Sequence, residues 1–291
     1  MAERIACAYA AEGQGVTPLA AAIECGAMAA EGIEATLDKL GTAHRVAEAV
    51  ADGSIVFGNL AAPGLVDVVA KGAELAMIAG GVNQQFLVGR LGATLENVVG
   101  QPLGASRPLD LGHFLLELTM ERVLKAPSET VWVEGSRGRV AALLDGTIAA
   151  SPLSPPVAIE AKHAGLPWLY DYTELGLNFA IGGIAASRAT INDRPELVAA
   201  FLRAYLEGQR EYKSDRAFGV RVHEKYGETS TAVAEETYDI TSEGFRDVPD
   251  PATEGMEMLV SFLREQGKVP SDFTTARVVD SAPILAVCGH R

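Results

Sequence analysis

The chain has no basic cluster. Its 24 lysines and arginines are outnumbered by 38 aspartates and glutamates, giving a formal net charge of −14, and they are scattered along the sequence. Binding along a nucleic acid takes grouped Lys and Arg, so nucleic acid is excluded as a partner. Long apolar runs are missing too. Gly, Pro or a charge interrupts each one well before the roughly 20 residues that a bilayer-spanning helix needs, so no membrane span is expected. Cysteine is scarce: Cys7, Cys25 and Cys288 are the only three, at long spacings. An odd set without a Cys-x-x-Cys pair reads as small buried side chains before disulfides. No His-x-x-x-His or paired cysteine suggests a metal, and no nucleophile elbow or Walker-type loop occurs. No cofactor and no metal are expected. The opening Arg4-Ile5-Ala6-Cys7-Ala8-Tyr9 already reads as a strand and lacks the basic and apolar regions of a leader. The expectation is therefore a cytoplasmic protein, or a periplasmic or other extracytoplasmic one whose leader has been removed.

What is present is an ordinary globular composition, 48% hydrophobic and 21% charged over 291 residues, enough for two lobes. One stretch is written twice. Asp52-Gly53-Ser54-Ile55 runs through Leu60 and Pro63 to Gly72; 93 positions later, without a gap, Asp145-Gly146-Thr147-Ile148 runs through Leu153 and Pro156 to Gly165. Upstream, Thr42-Ala43-His44 falls opposite Gly135-Ser136-Arg137. Each copy reads as helix, Asp-Gly turn, short apolar strand, Pro-opened helix and strand. Two similar α/β halves imply a cleft between them, where small ligands usually bind.

The patterning predicts strands at Ile5–Ala10, Ile33–Leu40, Ser54–Gly58, Glu74–Ile78, Phe86–Val88, Thr130–Val133, Ile148–Ala150 and Pro167–Tyr170. Helices are predicted from Thr17-Pro18, over Ala43–Ala51, near Pro63, and over Leu111–Leu124, Ser136–Leu144 and Pro155–Ala164, with Gly100–Ala105 leading into a loop. After Arg194-Pro195 the chain turns mainly helical. Alternation of this kind implies parallel pairing and an α/β fold. Lobe 1 is expected to comprise residues 1–83 and 184–291, lobe 2 residues 84–183, with hinge crossings near Gly80–Gln84 and Asn178–Gly183.

Ile5–Tyr9, Thr17–Gly26 and Glu31-Gly32-Ile33-Glu34 resemble the opening of type II periplasmic solute-binding proteins, in the nitrate, sulfonate and taurine group that also includes thiamine-precursor synthases. Asp52–Gly58, Leu95–Gly104 and Asn192–Leu202 fit the same order, so the resemblance spans nearly the whole chain. It implies a two-lobed type II periplasmic-binding-protein (Venus-flytrap) fold with a double-crossing hinge, closing over one small ligand. As partners it implies a small-molecule ligand and, for a transporter component, a membrane permease; the protein itself is expected to be a monomer or weak dimer.

The family's ligand contacts come from strand-end loops and first turns of helices. Here these are Gly13, Gln14, Thr17, Thr42, His44, Gly58 and Asn59 in lobe 1, and Ser106, Arg107, Asp110, Ser136, Arg137, Ser151 and Ser154 in lobe 2. A helix N-terminus carries unpaired N–H groups and partial positive charge, suited to a carboxylate or sulfonate, and Arg137 is expected to add a bidentate fork. Plainer readings stand beside these: Thr42 and Ser136 as N-caps, His44 as a capping or surface histidine, Asn59 as a turn residue, Arg137 as a solvated charge. Gly41-Thr42-Ala43-His44 also resembles a segment of hydroxybiphenyl sulfinate desulfinase, an enzyme of this fold. That alternative is a cytoplasmic desulfinase, lyase or hydrolase-like enzyme using His44 and Cys7, but the family's nucleophile position falls at Gly13 and its arginine position is apolar.

Overall fold

The computed structural model describes residues 2–81, 84–175 and 182–289. The chain divides into two compact units, Met1–Asn83 with Asn178–Arg291, and Gln84–Leu177. Both expected hinge crossings include residues outside the described ones.

The first unit opens with β1 (Glu3–Tyr9), a 3-10 turn at Gln14–Val16, α1 (Thr17–Glu24), α2 (Ala27–Ala30), β2 (Ile33–Lys39), α3 (Ala43–Ala51), β3 (Phe57–Ala61), α4 (Ala62–Ala70) and β4 (Leu75–Gly80). The second unit holds β5 (Phe86–Gly89), β6 (Leu103–Ala105), α5 (Leu111–Leu118), β7 (Thr130–Trp132), α6 (Ser136–Leu144), β8 (Ala150–Leu153), α7 (Val157–His163) and β9 (Trp168–Asp171). The chain then returns to the first unit as β10 (Gly182–Ser187), α8 (Arg188–Asp193), α9 (Pro195–Ser214), α10 (Arg216–Gly227), α11 (Thr231–Thr241), α12 (Glu254–Glu265) and α13 (Ala282–Gly289).

Each unit has one five-stranded sheet, ordered β2-β1-β3-β10-β4 in the first and β7-β6-β8-β5-β9 in the second. The orders correspond strand for strand. In both, one strand runs antiparallel: β10 against β3 and β4, and β5 against β8 and β9. The expectation of parallel pairing thus holds for three strands of each sheet. The antiparallel member is in each case the first strand after the chain passes from one unit to the other.

The repeat survives in the hydrogen bonds. Gly53 and Gly146 take φ of 81° and 80°, a left-handed turn that Gly accepts without strain. The preceding aspartates accept from Ser54 N and Thr147 N at 2.9 Å, and Ile55 N and Ile148 N bond back to Ala49 O (3.0 Å) and Ala142 O (3.2 Å). Because these amides are still bound to the helix, β3 begins three residues later than the apolar pattern predicts, at Phe57, and β8 two residues later, at Ala150. Two further differences lie in the second unit. Leu103–Ala105 is a strand, parallel to β7 and β8, within a stretch expected to lead into a loop, and α5 passes into a π-helical turn at Thr119–Leu124 where one continuous helix was expected.

The core of the first unit lies where α1 and α9 cover the sheet, with Phe57 and Phe201 stacked at 3.9 Å. The smaller second sheet is filled by residues including Leu115, Leu118, Leu153 and Val157. Tyr172 is fully buried beside Thr119.

Candidate functional site

Ligands of open α/β sheets sit beyond the carboxyl ends of the parallel strands. In the second unit that edge carries Ser106, directly after β6, Ser136, at the start of α6 after β7, and Ser154, after β8. Asp110 caps α5, its Oδ1 accepting from His113 N at 2.7 Å.

The residue that draws two of these together is Arg139, which was not among the sequence candidates. The buried positions of α6 are Arg139, Ala142 and Leu143, so a guanidinium occupies the apolar face of the helix. It is 5% exposed. Its Nη1 donates to Ser106 Oγ and its Nη2 to Ser136 Oγ (3.2 Å), while Nε has no hydrogen-bond partner. Among the described residues no carboxylate pairs with it. Burial pulls its pKa below the usual arginine value, opposed by the charge of Asp110, yet a guanidinium stays protonated in proteins. Both serine oxygens accept from Arg139, so their own O–H protons remain available to donate. The first turn of α6 has no side-chain cap, which adds backbone N–H groups and the positive end of the helix dipole. Such a group of donors suits an oxyanion. Spacing does not single it out: Arg139 lies three residues before Ala142 and four before Leu143, but Arg137 stands in the same relation to Val140 and Ala141.

Arg137 does something else. Its Nε and Nη2 fork onto Glu160 Oε2 (3.0 Å) and Oε1 (2.8 Å). In the first unit His44 Nε2 lies 3.3 Å from Asp67 Oδ2. These pairs are the same device written twice, since 44 and 137, like 67 and 160, are 93 positions apart. Each ties the first turn of one helix, α3 or α6, to an acid on the next, α4 or α7. The fork expected of Arg137 toward a ligand is thus engaged by Glu160, and the buried His44 stands against a carboxylate of its own unit.

The other candidates separate into neighbours and scaffold. Asn59 Nδ2 donates to Gly15 O at 2.9 Å, pinning the Gly13–Val16 loop to β3. Gln14 and Thr17 are buried, and Gly13 is extended. Thr42 is an N-cap, accepting from Arg45 N at 3.2 Å. Gly58 lets α3 approach β3: a Cβ there would lie 2.5 Å from Val46 Cγ1. Position 46 is the repeat counterpart of 139, and position 58 of 151, so a valine fills in one unit the place that a guanidinium fills in the other. Ser151 is fully buried and its Oγ donates to Gly104 O at 2.9 Å, joining β8 to β6. Ser154 accepts from Ala158 N at 2.9 Å through its carbonyl, and Arg107 is exposed.

Cys7 lies in β1 between Leu37 and Phe57 and is fully buried. Burial, with a smaller contribution from the charge of Asp38, pushes its thiol up to about 12. Burial of this kind disfavours the thiolate that the enzymatic alternative would need from Cys7. Among the described residues no group of metal-ligating side chains forms a site, and no helix is long and apolar enough to cross a membrane.

The NMT1/THI5-like family model matches residues 14–215. A search of curated protein sequences returns no match. Three solved structures illustrate the likeness of fold. The periplasmic aliphatic sulphonate binding protein SsuA from Escherichia coli superposes with a TM-score of 0.79 at 16% identity, covering 97% of this chain and 93% of that one. The periplasmic nitrate-binding protein NrtA from Synechocystis PCC 6803 gives 0.80 at 12%, covering 99% and 89%. A DSZB mutant in complex with biphenyl-2-sulfinic acid gives 0.72 at 15%, covering 100% of both chains. At these identities the likeness is one of fold, the two-lobed periplasmic-binding-protein fold.

Proposed function

Because the chain belongs to the NMT1/THI5-like family, we propose that it is the substrate-binding protein of an ABC-type transporter, capturing a small organic anion of the sulfonate or carboxylate kind. The observation that carries this reading is Arg139, a buried charge without an acidic partner among the described residues. A buried guanidinium held only by hydroxyls is costly, and an oxyanion drawn to it beside Ser106 and Ser136 would supply countercharge together with charge-assisted hydrogen bonds. Ser106 and Ser136 orient that headgroup, and the nearby Asp110 charge offsets part of the positive field of Arg139. The interlobe cleft implied by the family is the proposed place of capture, a membrane permease the proposed recipient, and the extracytoplasmic side of a membrane the proposed location.

The solved neighbours include proteins described as sulphonate-binding and nitrate-binding, which supports an anionic solute. The buried state of Cys7 supports capture over turnover. The test is a thermal-shift screen of small sulfonates, carboxylates and sulfinates, followed by calorimetry on the wild type and Arg139→Gln, with mass analysis of the recovered ligand. Binding of an anion that is recovered unchanged and is lost in Arg139→Gln upholds the reading. Conversion of the ligand into product, or full affinity in Arg139→Gln, overturns it.

A further inference from the structure

Trp132 is one of two tryptophans in the chain. The other, Trp168, is placed by packing: it stacks on Phe86 at 3.9 Å and its Nε1 donates to Ala158 O at 2.9 Å. Trp132 has no such explanation. It ends the edge strand β7, is 47% exposed, and has the His113 imidazole against it, tilted by 63° with centroids 5.2 Å apart. A half-exposed indole at the carboxyl edge of a sheet offers an aromatic face to what binds there.

Its address gives the contact. Trp132 pairs in register with Ala105, and the residue directly after that strand is Ser106, whose hydroxyl accepts from Arg139. With strands about 4.8 Å apart and a rise of about 3.3 Å per residue, the Trp132 and Ser106 backbones are roughly 6 Å apart. His113 belongs to the first turn of α5, which Asp110 caps. The indole, the imidazole and the anion cradle thus share one corner of the second unit.

We propose that Trp132, with His113 beside it, is a specificity-determining surface that receives an aromatic body carried by the anion bound at Arg139. The inference rests on the reading of Arg139 given above. It assigns the solute to the aryl sulfonates and aryl carboxylates in preference to short alkyl ones, because ring stacking on an indole adds affinity that an alkyl chain does not recover.

The probes are benzenesulfonate and ethanesulfonate, titrated into the wild type, Trp132→Ala and Arg139→Gln. In a Trp168→Phe protein, Trp132 is the sole indole emitter, so its fluorescence reports contact directly. The expected result is a shift of that emission by benzenesulfonate, about tenfold weaker benzenesulfonate binding in Trp132→Ala, unchanged ethanesulfonate binding there, and loss of both in Arg139→Gln. Equal weakening of both probes in Trp132→Ala, silent emission, or no binding of either probe to the wild type overturns the role of Trp132. Loss of both ligands in Arg139→Gln alongside an unaffected Trp132→Ala leaves the anion site standing without its aromatic wall. Retention of both in Arg139→Gln removes the anion site itself.

Discussion

Replacing Arg139 by methionine keeps most of the side-chain length and removes the charge. The residue is 5% exposed and holds two serine hydroxyls. Desolvating a lone guanidinium costs several kcal/mol, and two hydrogen bonds from a charged donor return about 1.5–3 kcal/mol each, so the native arrangement sits near balance before any ligand arrives. Methionine adds about 1.5–3 kcal/mol of apolar burial and leaves each serine short of one partner at about 1 kcal/mol apiece. The unliganded stability of Arg139→Met should therefore lie within about 2 kcal/mol of wild type, a shift of no more than about 8 °C in melting temperature. Ligand binding should behave in the opposite way. Truncating one partner of a buried charge pair costs about 2–5 kcal/mol, which is about 30-fold to several thousand-fold in Kd. The assay is a circular dichroism melt with and without saturating sulfonate, with calorimetry for Kd. A fall of more than about 15 °C in the unliganded melt would make Arg139 a structural keystone. Undiminished ligand-induced stabilisation in the variant would refute the anion site.

Arg137→Ala should weaken anion binding by less than about threefold, measured by calorimetry, and cost no more than about 1 kcal/mol of stability, because its fork ends on Glu160 and its side chain is 40% exposed. Gly58→Ala should destabilise the first unit by about 1–3 kcal/mol in urea unfolding, since the methyl would meet Val46 Cγ1 at 2.5 Å and Val50 Cγ2 at 2.9 Å. His223 is buried against the Tyr212 hydroxyl (2.8 Å), and burial lowers its pKa from 6.5 to about 4. The unfolded chain then takes the proton first as pH falls, so the stability contribution is complete above pH 6.5 and is lost between pH 6.5 and about 4. Urea unfolding should show about 2 kcal/mol of this loss by pH 5, and His223→Phe should make the fall between pH 7 and 5 shallower.

Much of the fold can be read along the chain because the signals are local. Asp-Gly turns, Pro-opened helices and alternating apolar residues act within a few positions, and the 93-residue echo aligns α3 with α6 and α4 with α7 at the residue level. The repeat says nothing by itself about the antiparallel strands β5 and β10. Their direction depends on where the chain passes from one unit to the other.

The candidate site divides along the same line. Patterning and spacing pointed to the α/β class and the doubled architecture, and the family resemblance pointed to the strand-end loops that hold Ser106, Asp110 and Ser136. They could not separate Arg137 from Arg139, two arginines in one helical turn. Only tertiary packing decides that Arg137 turns outward to an acid 23 residues later, while Arg139 turns inward to serines and makes no ion pair among the described residues. The physical reason is that a charged side chain is defined by its partners, and partners brought by another helix or strand are invisible to any local pattern. His44 and Cys7 follow the same rule: what each can do is set by Asp67 and by the sheet that buries the thiol.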